Sequence, residues 1–345
     1  MKTNNSKDDM VFTKKQQIET VKGEFRHVVI LGAGASRASC IDNPEKNNKV
    51  IPLMDDITKI VDLNEELKGL PKELKKENFE NMFSYLYEKK LNSGKLKIIE
   101  EKVYNYFDSL ILPETTTIYD YLVLSLRRKD LIATFNWDPF LCQAYERNRQ
   151  FTADLPQLAF LHGNVAIGFC EESNTFGSKH ITLQETRKDL KPTKLLYPIT
   201  RKNYNSDPFI KDQWDKLLYN LKSSPVRTTI FGYSAPVTDV EAILAMKEAW
   251  GCPKLAQFEI IDTKDRDTLK KSWKEFIFSH HYEIHSDFFK STITLFPRRT
   301  GEVYEANKLY GKFYEENPVP RIKSLNKLWD WYSELIKHEN NDTER

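Results

Sequence analysis

The sequence predicts an α/β fold with a doubly wound, mostly parallel sheet, and three observations lead to this prediction. First, short apolar runs bounded by polar or turn-forming residues recur at 28–31, 130–135, 158–161, 226–231 and 257–262. Second, amphipathic helical patterns lie between several of these runs. Third, the first run leads directly into a turn rich in glycine and alanine. Short apolar runs are typical of central strands covered on both faces, so we expect a Rossmann-like sheet.

The turn after the first run has the sequence "GAGAS" and consists of Gly32, Ala33, Gly34, Ala35 and Ser36. Small residues between a strand and a helix let a phosphate approach backbone N–H groups. The dehydrogenase fingerprint would need a third glycine where Arg37 stands, and no Gly-Lys-Ser/Thr of a Walker loop follows. A tight strand–helix turn that binds nothing explains the loop equally well, so the loop alone does not decide.

A helical region separates the first apolar run from the second. Residues 79–87 place apolar side chains at i, i+3, i+4, i+7 and i+8, as expected of one helix face. We interpret 55–128 as a helical insert. Further helices are predicted over 210–223, over 240–250 behind a capping box of Thr238 and Glu241, and over 321–338. The predicted organisation is a flexible or helical lead (1–24), a Rossmann-like domain (25–54 and 129–305), the insert (55–128) and a C-terminal helical tail (306–345).

Composition narrows the class of protein. The chain has 345 residues and a net charge of +2, so direct binding of nucleic acid is not expected. No apolar run approaches the roughly 18 residues that would suggest a membrane span, and the N-terminus lacks the apolar segment of a signal peptide. The four cysteines form no CxxC pair, which favours reduced thiols. We therefore expect a cytoplasmic protein.

Polar residues follow the predicted strands, where the binding crevice of a parallel sheet lies. Asn136 and Asp138 in "TFNWDPF" are two residues apart and face one side if the backbone stays extended. An Asx-turn that caps the next helix is the alternative for Asp138. His162 in "FLHGNV" follows another strand, although a single histidine is more often a packed residue than a catalyst. "FGYSAP" (231–236) and Asp262 follow two more strands.

These stretches together resemble the sirtuin family in order and spacing over about residues 25–265. "GAGAS" resembles its glycine loop, "TFNWD" its Thr-x-Asn-x-Asp motif, "LHG" its His-Gly motif and "GYS" its Gly-Thr/Ser-Ser. The resemblance implies NAD binding and cleavage of the nicotinamide–ribose bond. It further implies three catalytic residues: Asn136 to position ribose and water, His162 as general base, and Asp138 to hold the carboxamide or a ribose hydroxyl. The implied NAD contacts are Gly32, Ala33, Gly34, Ala35, Ser36, Thr134, Gly232, Tyr233, Ser234 and Asp262.

The sequence also departs from the deacylating sirtuins. Only Cys170 lies between 163 and 225, so a four-cysteine zinc module cannot form there. "IPLMDD" (51–56) lacks the Phe-Arg pair of the deacylase motif, and "HHYEIH" (280–285) alternates like a strand without zinc spacing. The chain resembles the zinc-free, sirtuin-like NADases of bacterial anti-phage defence more than it resembles the deacylases. We therefore expect NAD as substrate and no metal.

Three questions stay open at the level of sequence. A deacylase or ADP-ribosyl transferase is one alternative, and a non-catalytic NAD- or ADP-ribose-binding assembly module is another. The cluster of Trp329, Trp331 and Tyr332 in the tail predicts a homo-oligomer or a partner defence protein, such as an ATPase, a nucleic-acid-guided protein or a phage-sensing protein. A tail helix that packs on its own domain explains the same cluster.

Overall fold

The structure is a computed structural model. It describes residues 11–19, 25–71, 74, 78–89, 93–179, 189–199, 204–235, 239–251, 256–277, 281–304 and 311–340. Outside these ranges lie the predicted capping residue Thr238, Pro236 of the "FGYSAP" stretch, His280 of the histidine-rich stretch, Cys252, and parts of the predicted lead and tail.

The elements follow the predicted alternation of strand and helix. The strands are β1 (Val11–Phe12), β2 (His27–Leu31), β3 (Leu131–Thr134), β4 (Gln157–Phe160), β5 (Ile167–Cys170), β6 (Thr175–Ser178), β7 (Lys191–Pro192), β8 (Arg227–Phe231), β9 (Gln257–Ile261), β10 (Tyr282–His285) and β11 (Phe313–Tyr314). The helices are α1 (Lys14–Glu19), α2 (Ala33–Ser39), α3 (Ile57–Ile60), α4 (Phe79–Glu88), α5 (Ser93–Asp108), α6 (Ile118–Ser125), α7 (Phe140–Arg149), α8 (Pro208–Lys222), α9 (Val240–Trp250), α10 (Arg266–Ser272), α11 (Thr292–Leu295) and α12 (Leu325–Asn340).

Within the described ranges, the main sheet has six strands in the order β10-β9-β8-β2-β3-β4, and all neighbours are parallel. Counted along the chain, this is the order 3-2-1-4-5-6 of dinucleotide-binding sheets. The predicted fold class is confirmed. Every residue of β2, β3 and β8 is buried. The apolar runs in β2 and β3 predict this, whereas β8 also buries Arg227, Thr228 and Thr229.

Helix boundaries follow from local capping chemistry. Asn78 and Asp207 accept hydrogen bonds from backbone N–H groups at the starts of α4 and α8. α9 begins after Asp239 and ends at Gly251, whose φ of 58° lies in the left-handed region. The tail helix α12 begins at Leu325, four residues after the predicted start, and extends to Asn340.

Two small sheets were not predicted. β5 pairs antiparallel with β6 and β7, and β1 pairs parallel with β11. These strands span only two to four residues, and Gly168 lies opposite Gly177 in one of them. Segments this short show no clear alternation of apolar and polar residues, so the sequence does not mark them as strands. They form strands because of the partners with which they pair.

The open edge of the main sheet at β4 is covered by α8. Gln213 accepts a hydrogen bond from the N–H of Phe160 (3.2 Å), and Lys216 donates to the carbonyl of Leu158 (3.3 Å). Trp214 donates to Leu161 O at 3.0 Å. Side chains of one helix therefore satisfy backbone groups that an edge strand would expose.

The tail helix α12 packs against the chain's own core. The hydroxyl of Tyr332 lies 2.6 Å from that of Ser125, and the Trp329 indole stacks on Phe151 with ring centroids 5.6 Å apart. Buried Glu339 pairs with the guanidinium groups of two buried arginines, Arg298 and Arg299. Packing on the chain's own domain thus accounts for Trp329 and Tyr332, and the predicted oligomer stays a prediction.

Two further observations bear on the composition argument. Cys40, Cys142 and Cys170 are free thiols in the structure. In the described part of the chain, no helix combines the length and the apolar character needed to cross a membrane.

Candidate functional site

A cleft of about 580 Å³ opens at the carboxyl ends of the central strands. The cleft lies between β2 and β8. Here the strand order reverses, because β3 and β4 lie on one side of β2 and β8, β9 and β10 lie on the other. Ligands usually bind at this position in an open α/β sheet. The predicted site residues that line it are Gly32, Ala33, Gly34, Asn136, His162, Gly232, Tyr233, Ser234 and Asp262. Residues separated by up to 230 positions therefore meet in one cavity.

The glycine loop packs against the turn that follows β8. The N–H of Gly34 donates to Gly232 O at 3.0 Å, and a Cβ on Gly34 would lie 2.9 Å from Gly232 Cα. A Cβ on Gly32 would meet the same carbonyl oxygen at 2.5 Å. Gly232 itself has a φ of 62°. The paired glycines are thus required for contact between the two loops, independently of any ligand.

Beneath this loop lies a buried hydrogen-bond network. Ser36 Oγ donates to Asp138 Oδ2 (2.6 Å) and lies 2.7 Å from the hydroxyl of Tyr119. The Asn136 amide nitrogen donates to Ser36 Oγ and to Gly32 O, both at 2.9 Å. Because Ser36 has a single hydroxyl hydrogen, Tyr119 must donate to Ser36 when Ser36 donates to an ionised Asp138. The network orients the Asn136 amide and leaves its oxygen as the atom that can accept a hydrogen bond from a ligand.

Four predicted site residues lie below the cleft and do not line it: Ala35, Ser36, Thr134 and Asp138. Thr134 Oγ1 accepts a hydrogen bond from Asn136 N at 3.0 Å. Asp138 also accepts from Phe140 N at 3.2 Å, so the Asx-turn considered as its alternative is present. Burial raises the pKa of Asp138 to about 6, although the Ser36 hydrogen bond opposes this. Its predicted contact with a carboxamide or ribose stays a prediction, since its carboxylate faces Ser36.

His162 lies in the wall of the cleft, with its ring edge-on to Phe135 at a centroid distance of 4.9 Å. Its backbone is held by Leu196, whose N–H donates to His162 O at 2.8 Å. The next residue, Gly163, has a φ of 74°, and a Cβ there would meet Lys194 O at 2.0 Å. The glycine of the His-Gly pair therefore allows the 194–196 segment to approach the histidine.

Asn164 and Tyr119 are structural contributors that the sequence analysis missed. Asn164 is fully buried and donates from Nδ2 to the carbonyl oxygens of Asn136 (3.2 Å) and Asp138 (2.7 Å). It therefore joins the strand end of β3 to the strand end of β4. Asn164 stands within the quoted "FLHGNV" stretch and could have been noticed. Tyr119 stands within the capping box of Thr117 and Asp120, a pattern that marks a helix start and does not indicate a site.

The far side of the cleft contains the turns after β8 and β9. The Tyr233 ring stacks on Phe135 with centroids 4.2 Å apart, and its hydroxyl donates to Asp239 at 2.8 Å. Burial raises the pKa of Tyr233 well above its ordinary value, so the phenol stays neutral. Asp262 accepts from Lys264 N at 2.9 Å, which folds the turn after β9 toward the cleft.

A separate polar group lies in the sheet. Ligand atoms of Glu259, Glu283 and His285 lie within 4.8 Å of one another and could hold a cation. The Arg227 guanidinium lies 3.9 Å from both carboxylates. Hydrogen bonding to Glu283 raises the pKa of His285, and the Arg227 guanidinium supplies a positive charge beside both acids.

The fold and the cleft define a doubly wound α/β protein with a candidate ligand cleft between β2 and β8. No protein-family model matches the chain, and no curated protein matches it. Among solved structures, the chain is similar to a Sir2 homologue in complex with NAD: identity is 14%, the TM-score is 0.34, and the match covers 85% of this chain and 91% of that one. It is also similar to a mutant Sir2 homologue with 2'-O-acetyl ADP ribose, at 13% identity and a TM-score of 0.38, covering 82% and 90%. Because these TM-scores lie below 0.5, the likenesses carry no argument about what this chain binds.

Proposed function

We propose that this protein hydrolyses NAD to nicotinamide and ADP-ribose. The observation that carries the proposal is the cleft at the switch point of a 3-2-1-4-5-6 sheet, in which Asn136 and His162 share a cavity with the glycine loop. Its volume of about 580 Å³ falls within the ~300–1,000 Å³ usual for small-molecule sites. The ordered motifs that resemble sirtuins favour NAD among dinucleotides.

In this proposal, the two loops at the switch point hold the dinucleotide. The methyl group of Ala33 is the one side chain in the Gly32–Gly34 turn, so a pyrophosphate can approach its backbone closely. Ser234 and Asp262 line the same cavity and supply polar atoms for ribose hydroxyls. Tyr233 acts through packing, because its ring is stacked on Phe135.

The reaction breaks the bond between the nicotinamide nitrogen and ribose C1'. A water oxygen bonds to C1', nicotinamide leaves with the bonding electron pair, and one proton is released. Asn136 positions the water through its amide oxygen, and His162 accepts the proton as general base. Positively charged nicotinamide is a good leaving group, so positioning and base assistance are the main contributions required of the protein. Asp138 assists through Ser36, which orients Asn136.

Incubation of the purified protein with NAD, with nicotinamide and ADP-ribose measured by chromatography, tests the proposal. His162→Ala and Asn136→Ala are expected to lower turnover by ~10²-fold or more. The melting temperature of His162→Ala should stay close to that of the wild type, whereas Asn136→Ala, which removes two buried hydrogen bonds, should fold but melt at a lower temperature. His338→Ala, in the tail helix, is the matched control and should keep full activity. The absence of nicotinamide release by the wild-type protein in every assembly state tested, or full turnover by His162→Ala, would refute hydrolysis by this site.

The same assay separates the other candidate functions. A transferase or deacylase would release nicotinamide only with an acceptor or an acylated peptide present, and ADP-ribose would then appear bound to that acceptor. A non-catalytic module would bind ADP-ribose without releasing nicotinamide. Retention of both Asn136 and His162 in one cavity favours catalysis, because a binding module does not need both.

We further propose that the enzyme depletes NAD in the bacterial cytoplasm as an effector of anti-phage defence, as an oligomer or with a partner defence protein. Unrestrained NAD hydrolysis would harm its host, so an inactive state controlled by assembly is expected. Light scattering combined with the NADase assay tests this. A monomer at all micromolar concentrations, fully active without a partner, would contradict it.

A further inference from the structure

A second cavity, of about 280 Å³, lies away from the cleft at the β4 edge of the main sheet. β4 contributes Leu158 and Phe160, and the small antiparallel sheet contributes Ile167 and Phe176. The Lys216 side chain enters from α8. The rest of the lining is more polar and includes Glu146, whose exposed carboxylate pairs with Arg149. Lys216 is the one cationic side chain among the described residues of this lining.

The environment of this ammonium group is unusual for a lysine. Its Nζ donates to Leu158 O at 3.3 Å and lies 4.9 Å from the centre of the Phe176 ring. Among the described residues, no carboxylate forms an ion pair with it, and Asp212 acts only as a neighbouring charge. Partial burial lowers the pKa of Lys216. A partly desolvated cation held by a carbonyl oxygen and an aromatic ring, with no ion pair among the described residues, is an incomplete arrangement, because buried charges are normally paired.

We propose that this cavity binds a small carboxylic acid with an apolar body, such as a medium-chain fatty acid. Its carboxylate pairs with Lys216, and its hydrocarbon part lies against Phe160, Ile167 and Phe176. The volume lies just below the ~300–1,000 Å³ of typical small-molecule pockets, which sets the ligand size. The site is separate from the proposed NAD cleft, so its occupancy does not depend on that proposal.

Octanoate and its neutral analogue octanamide are the probes for wild-type protein. Calorimetry should show saturable binding of octanoate, with octanamide bound ~10–100-fold more weakly, because a hydrogen bond between charged groups is lost. Carbon-13-labelled isoleucine methyl groups locate the ligand: octanoate should shift the resonance of Ile167 and leave that of Ile41, which lines the cleft, unchanged. Equal affinity for the two probes, no binding of octanoate, or a shift at Ile41 alone overturns the proposal.

Lys216→Met tests the cation directly, and Lys211→Met on the same helix is the matched control. Lys211 is exposed and pairs with Asp215. The first variant should lose octanoate affinity by ~10–100-fold. The control should bind octanoate as the wild type does. A melting scan shows whether the Lys216→Met protein has folded. If it has not, the comparison of octanoate with octanamide on the wild-type protein tests the proposal. Unchanged affinity in a folded Lys216→Met protein overturns the proposal.

Discussion

Ser36 Oγ donates a 2.6 Å hydrogen bond to Asp138 Oδ2, and both side chains are buried. The bond connects the glycine loop after β2 with the strand end after β3, 102 residues further along the chain. Tyr119 on α6 completes the contact from the other side. Two motifs that look independent in the sequence are therefore one hydrogen-bonded unit under the cleft.

Removal of the central hydroxyl should weaken this unit. Ser36→Ala leaves a buried Asp138 oxygen and the Asn136 amide without their shared partner, so the free energy of unfolding should fall by ~1–3 kcal/mol. Nicotinamide release should fall with it. Urea denaturation and the NADase assay measure both effects. Ser39→Ala in the same helix, which loses one local bond to Ser36 O, is the control. Wild-type stability of Ser36→Ala would contradict the importance of the network.

The raised pKa of Asp138 predicts a specific pH dependence of stability. The pKa rises from 3.8 to about 6 on folding, so between these pH values the folded state retains a proton that the unfolded state releases. The contribution of Asp138 to stability therefore falls as pH rises through this window, by ~3 kcal/mol in total. Asp138→Asn removes the titration and can still accept from Ser36.

Denaturation of both proteins at pH 4, 5, 6 and 7 checks this prediction. The stability of Asp138→Asn relative to wild type should increase from pH 4 to pH 7, because the other titrating groups cancel in the difference. Parallel pH profiles of the two proteins would show that Asp138 does not titrate in this range.

Contact between the two loops predicts different effects for two glycines with similar backbone angles. Gly232 has a φ of 62°, and a Cβ there would lie 2.3 Å from Ala35 N. Gly251 has a φ of 58°, and a Cβ there would meet no atom of the described residues within 4 Å. Gly251→Ala should cost ~1–2 kcal/mol, whereas Gly232→Ala should cost several kcal/mol and weaken ADP-ribose binding. Chemical denaturation and calorimetry measure these effects, and equal destabilisation would disprove the tight contact.

Tail docking depends on buried ion pairs. Arg298 donates to Glu339 at 2.6 Å and to Asp154 at 3.0 Å, and its side chain has no solvent exposure. Arg298→Met should lower the free energy of unfolding by ~3–5 kcal/mol, because it leaves Glu339 with one partner fewer in a buried environment. Arg321→Met, which breaks an exposed pair with Asp287, should cost at most ~1 kcal/mol. Similar losses in the two variants, measured in urea, would contradict this assignment.

Local chemistry made much of the fold predictable. The apolar runs in β2 and β3 can be recognised without their neighbours, because a strand covered on both faces is mostly apolar. β8 is harder to recognise as a buried strand, since it also buries Arg227, Thr228 and Thr229. The position of Asn136 and His162 follows from the same pattern, since parallel strands bring their carboxyl ends to one edge. Resemblance to known motifs then connected these residues to NAD chemistry.

What the sequence by itself determined is the alternation of main-sheet strands and helices, the glycine turn, and the polar residues at the strand ends. Only the tertiary structure decided that Asp138 lies under the cleft bonded to Ser36, that Tyr119 and Asn164 join the site, and that the tail aromatics face the chain's own core. The physical reason is the sequence separation over which each interaction acts. Apolar periodicity and capping act between residues a few positions apart, whereas these contacts join residues from 26 to 207 positions apart, where only the packing of the whole chain selects partners.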